Sequence, residues 1–113
     1  MADARIIIKI RGQDWVIKLY TAEAFYNKHE DSVAALTNAA EKEILFNDEE
    51  LSLATVIHEL THAYFAASHV ISANLTPDQV EEVMCELIGE LGPEIVRVGR
   101  KLTKHLKALA KEL

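Results

Sequence analysis

The sequence has one cysteine, no long apolar run and no excess of positive charge, and each shortage excludes something. With Cys85 alone among 113 residues, no internal disulfide can form and no oxidising compartment is required. No stretch approaches the roughly 20 consecutive apolar residues of a membrane span. The first residues, MADARIIIKI, lack the apolar core and small-residue cleavage site of a signal peptide. The expected location is therefore the cytoplasm. The formal net charge is -6, which suits nucleic acid poorly because phosphate neutralisation needs Lys and Arg. Repeats, low-complexity tracts and linkers are also missing, so residues 1–113 read as one domain. Half the residues are hydrophobic and 27% are charged, which is the balance of a folded chain rather than a disordered one.

What is present reads as an α+β pattern. Residues 5–20, RIIIKIRGQDWVIKLY, place two strand-like runs around the polar, Gly-containing stretch Arg11–Asp14, a β-hairpin signal. TAEAFYNKHE follows as a short helix capped by Thr21 and anchored by Phe25. In DSVAALTNAAEKEILFND, VAAL and EILF read as strands joined by NAAEKE, while AALTNAAEKEIL is a helix on propensity alone; the turn pair after EILF favours strands. From Leu51 to about Ser68 the apolar spacing is helical, with Asp48 or Ser52 as N-cap. Thr76-Pro77 opens a helix that should stop at Gly92-Pro93. A last helix from Glu94 carries the apolar stripe Ile95, Val98, Leu102, Leu106, Leu109 and Leu113.

The chemistry-bearing stretch is HELTHAYF, residues 58–65. His58 and His62, four apart on a helix, project from one face a turn apart and can hold one metal ion. Glu59, three residues before His62, can reach a water on that metal. This is the HExxH pattern, in which zinc lowers the pKa of its water towards ~7 and the Glu is the general base. The competing reading is two solvated histidines on a helix flank. Against it stand the helical context, the apolar Leu60, Ala63 and Tyr64, and a candidate third ligand on the next helix.

A catalytic zinc usually takes three protein ligands. Glu81, Glu82 and Glu86 share one helix. With Val80, Val83, Met84, Leu87 and Leu91 as its core face, Glu81 lies beside the apolar edge, while Glu82 and Glu86 point nearly opposite. Glu81 is thus favoured, with Glu82 as the alternative. His69 is one residue out of register for HExxHxxGxxH, and Phe65 stands where that pattern needs Gly. His29 and His105 read as surface residues, and Cys85 as a small buried hydrophobe.

The runs EILFNDEELSLATVIHELTHAYF and PDQVEEVMCELIGELGPEIV resemble the small HExxH metallopeptidase-like proteins of bacteriophages and prophages. They are more distantly similar to the ImmA/IrrE family. The resemblance covers roughly residues 43–98. Laid over this chain, the family pattern E-x-x-A-[ND]-x-F-A puts its Glu on Glu81, with Cys85 in place of Asn or Asp. It implies a minimal zincin-like fold: a small twisted sheet packed on the HExxH helix, then two further helices, the first carrying the third zinc ligand. In such proteins the substrate peptide lies along an edge strand, here expected at Glu43–Asn47, with Ile44, Leu45 and Phe46 binding substrate by strand addition.

The leading expectation is a zinc-dependent peptidase acting on a protein or peptide target. A catalytically silent, zinc-stabilised interaction module is the alternative, favoured by the small size and the lack of an obvious oxyanion stabiliser; Tyr64 and Tyr26 are candidates for that role, but Tyr64 fits the helix core just as well. A third feature is the basic face of the last helix: Arg97, Arg100, Lys101, Lys104, Lys107 and Lys111. By default such a face is solvated and complements the helix C-terminus, but it leaves DNA or an acidic partner open.

Overall fold

Arg11 and Gly12 both have positive φ, 52° and 80°, and make the two-residue turn that joins β1 (Ala4–Ile10) to β2 (Gln13–Tyr20). Positive φ at both central positions matches the right-handed twist of the paired strands. The structure, a computed structural model, describes residues 3–28, 34–68 and 74–113. α1 (Ala22–Lys28) follows. As expected, Thr21 heads it, its Oγ1 accepting from the Ala24 N–H at 3.3 Å. β3 (Ala35–Asn38) and β4 (Glu43–Asn47) come next. Lys42 at φ 53° and the Asn38 side chain, which accepts from the Glu41 N–H, shape the turn between them. The strand reading of this region holds, displaced by two residues at β3; Val33 lies outside the described residues.

The four strands form a mixed sheet in the order β1-β2-β4-β3, with β2 and β4 parallel and the other two pairs antiparallel. Alternation sorts the side chains. Ile44 and Phe46 face the main core with Trp15, Ile17 and Leu19, beneath α2 (Leu53–Ala67) and α3 (Pro77–Ala110). Leu45 faces the other side, with Tyr20 and Phe25 under α1. The architecture is α+β, a small sheet with helices on both faces. Among the described residues no helix is long and apolar enough to cross a membrane.

Two expectations are corrected here. β4 is not an edge strand: it pairs with β2 on one side and β3 on the other, and Ile44, Leu45 and Phe46 are buried. They cannot receive a substrate strand, and among the described residues the sheet edge nearest α2 belongs to β3. Nor do two helices follow α2. α3 is one helix of 34 residues that runs through Gly92 and Pro93. Pro93 removes one ladder hydrogen bond, a cost of about 3 kcal/mol in a helix interior. The apolar stripe offsets it, because Leu91, Ile95, Leu102 and Leu106 are buried on both sides of the proline only if the helix stays whole. Thr76 caps α3 in a reciprocal capping box with Gln79.

α2 and α3 pack antiparallel. Gly99 lies against Ile57 and Leu60; a Cβ there would come within 2.9 Å of the Ile57 side chain. Tyr64 meets Glu94 further along. α3 therefore outruns α2, and its first turns are largely exposed among the described residues. Val80, Met84 and Ile88, predicted on a core face or its edge, are exposed. Cys85, predicted buried, is an exposed free thiol.

Candidate functional site

Ser52 caps α2: its hydroxyl accepts from the Thr55 N–H at 3.1 Å. Asp48, the other candidate, instead accepts from the Ala22 N–H at the start of α1. Once α2 is aligned this way, Val56, Leu60 and Ala63 go into the core and His58 and His62 stay on the outer side. The two rings pack edge to face with their Nε2 atoms 3.2 Å apart. Two nitrogens each bound to zinc at 2.0–2.1 Å in tetrahedral geometry would be separated by about 3.3 Å. The spacing of the two nitrogens is close to that value.

Glu59 lies beside the histidines, on the flank of α2 that meets β3, and is 7% exposed. Its Oε1 accepts a 2.7 Å hydrogen bond from the Thr37 hydroxyl on β3. Its Oε2 lies 3.8 Å from His58 Nε2. The carboxylate is thus fastened at one oxygen to the edge strand and open at the other towards the histidines. Thr37 was not anticipated. Nothing local marks it, because a strand hydroxyl and a helix carboxylate 22 residues apart meet only when β3 lies beside α2. An open cleft runs on either side of Glu59 between α2 and β3, with volumes of about 440 and 370 Å³. Its walls carry small residues, among them Ala35, Ala39, Ala54 and Ala66, so an extended chain could approach the edge closely.

The third-ligand assignment is not met in this structure. Glu81, Glu82 and Glu86 are exposed on the projecting part of α3. Glu81 precedes Gly99 by 18 positions, about 27 Å at 1.5 Å per residue, which leaves it about 20 Å from the level of His62. The side of α2 facing α3 is also the side away from the histidines, carrying Ile57, Leu60 and Tyr64. Among the described residues no group of three or more His, Cys, Asp or Glu is placed to hold a metal. His29 and His69 lie outside the described residues. His105 is exposed on α3, as predicted.

Tyr64 is not at the cleft. Burial pushes its phenol well above the usual range, and its hydrogen bond to Glu94 adds to the shift. It is a core residue fastening α2 to α3. Tyr26 packs edge to face on Phe25, in the cluster under α1 across the sheet. Neither is placed to meet an oxyanion beside the histidines.

Comparison of the chain with known family models, curated proteins and solved structures finds no match. The function rests on the site itself.

Thr37→Val keeps the shape of the edge strand but removes the donor to a buried carboxylate. The expected result is a loss of about 1.5–3 kcal/mol of stability in denaturant titration, the range for hydrogen bonds to charged groups. A variant as stable as the parent would mean Glu59 is not held by this bond.

Proposed function

We propose that the chain is a zinc-dependent peptidase of minimal zincin-like design, with His58 and His62 as metal ligands and Glu59 as the general base. The observation that carries the reading is the convergence of His58 Nε2, His62 Nε2 and the open Oε2 of Glu59 at the mouth of one cleft. A zinc ion held there would act as a Lewis acid and lower the pKa of water towards ~7. Glu59 takes the proton from the attacking water. Its carboxylate is already aimed by Thr37, so little reorganisation is needed. β3 takes the role first assigned to β4: an extended substrate pairs with its free edge and lies across the histidines. The substrate class is accordingly a peptide or an unfolded protein segment, read mainly through its backbone. The resemblance to phage and prophage proteins points to a regulatory protein as target.

The silent, zinc-stabilised module remains the second reading, favoured by one observation: no third acidic or histidine donor joins the pair among the described residues. The first test is zinc content, expected at about one ion per chain, followed by the affinities of Glu81→Ala and Glu82→Ala. With α3 as it stands, both variants bind zinc as the parent does. A tenfold loss in either would show that α3 bends at Gly92-Pro93 and delivers that carboxylate, as the family pattern implies. A parent chain that takes up no zinc ends both readings.

A further inference from the structure

α3 carries two opposite blocks of charge. Asp78, Glu81, Glu82, Glu86, Glu90 and Glu94 occupy its first part, with no Lys or Arg among residues 77–96. Arg97, Arg100, Lys101, Lys104, Lys107 and Lys111 occupy the rest, with no Asp or Glu among residues 97–111. All twelve are exposed. Of these twelve, only Arg97 and Glu94 are ion-paired among the described residues, at 3.9 Å. Six like charges in each half repel one another, and among the described residues no ion pair other than Arg97–Glu94 compensates them. The helix macrodipole accounts for acids in the first turn and cations in the last, but its effect fades beyond a turn. Glu86, Glu90, Arg100 and Lys104 lie well inside.

Spacing adds a second feature. Glu82, Glu86, Gly89, Pro93, Val96, Arg100, Lys104, Lys107 and Lys111 recur at intervals of three and four, so they form one stripe along the helix, away from the buried stripe of Leu91, Ile95, Leu102 and Leu106. Its middle is low and uncharged. Gly89 has open space where a Cβ would be, and Pro93 and Val96 are exposed. Beside its basic end an open cavity of about 480 Å³ is bounded by Leu53 at the start of α2 and by Lys104, Lys107 and Lys111.

We propose that this stripe is a docking surface for a second copy of the chain, with the two α3 helices antiparallel about a two-fold axis near Val96. In that register Glu82 faces Lys111 of the other copy, Glu86 faces Lys107, Pro93 faces Arg100, and Gly89 makes room for Lys104. Each contact occurs twice by symmetry, as an isologous interface requires. The chain itself supplies the complement: an acidic and a basic row at matched spacing on one helix. A nucleic acid would satisfy only the basic half and would be repelled by the acidic one. The net charge of -6 opposes pairing at long range, but at about 0.1 M salt the screening length is about 10 Å, longer than an ion pair and shorter than the molecule. Exposed ion pairs are individually weak, so the dimer is a weak one that depends on the ladder as a whole. It does not depend on the histidine site.

Sedimentation equilibrium on the full chain tests it. The parent is expected to dimerise at about 0.1 M salt and to dissociate at about 1 M. Glu86→Lys and Lys107→Glu should each weaken the dimer by tenfold or more, and the double exchange should restore it to within a few-fold of the parent. Glu82→Lys with Lys111→Glu provides a second, independent pair, and circular dichroism confirms that each variant keeps its helix. A chain that stays monomeric at every concentration and salt overturns the proposal. So does a dimer indifferent to the single exchanges, or one that the paired exchanges fail to restore.

Discussion

Glu59→Gln is expected to keep the fold and the zinc while losing peptide cleavage by about 100- to 10,000-fold, the contribution of general acid–base catalysis. Glutamine has nearly the same shape, and its carbonyl oxygen can still accept the Thr37 hydroxyl, so the side chain stays where the carboxylate was. Its amide then takes the place of Oε2 and cannot accept a proton from water. Glu59 is not expected to be a ligand, because neighbouring helical positions point about 100° apart and the two histidines already share a side. Zinc affinity should therefore change little. The check is a cleavage assay on captured partner proteins and on unstructured peptides, with metal content measured on the same preparations. Unchanged cleavage would remove the peptidase mechanism. Unchanged function in the cell without any cleavage would favour the interaction module.

Removing either histidine should have a comparably large effect on the metal. His58→Ala or His62→Ala takes away one of two donor nitrogens set 3.2 Å apart. Losing even an outer-shell partner of a metal ligand typically costs about 10- to 100-fold in affinity. Losing the ligand itself should therefore weaken zinc binding by more than about 100-fold, read by competition with a chelator dye. Folding should be nearly unaffected, because both rings lie on the exposed side of α2 and leave no cavity when truncated. His105→Ala is the control: it lies exposed on α3, and its removal should leave zinc binding alone. Equal affinities in all three variants would place the metal elsewhere.

The parts of this site that can be read along the chain share one property: they depend on residues within a helical turn or two of each other. His58, Glu59 and His62 are separated by one, three and four positions, and helix geometry alone puts the two rings together and the carboxylate beside them. The Thr21 cap, the Arg11-Gly12 turn and the Thr76 capping box are equally local. The α+β character follows from the change between two-residue and 3.6-residue spacing.

Strand order and helix reach are not local. EILF looks the same whether it lies at an edge or in the middle of a sheet, and its position was decided by β3 folding back onto it and β2 pairing from the other side. Ile44, Leu45 and Phe46 are therefore inside the sheet, the strand beside Glu59 is β3, and Thr37 makes a hydrogen bond that no spacing announces. Gly92-Pro93 breaks helices when nothing opposes it, but here burial of Leu91, Ile95, Leu102 and Leu106 along one side keeps α3 whole. Once whole, the helix carries Glu81 past the end of α2 and beyond reach of the histidines. The sequence by itself determined that His58, His62 and Glu59 lie together and that α3 carries charge blocks, because each is written in short-range spacing. Which strand borders these residues, what holds Glu59, and which carboxylates stay away were decided only by the tertiary packing, because they depend on segments brought together by burial rather than by position along the chain.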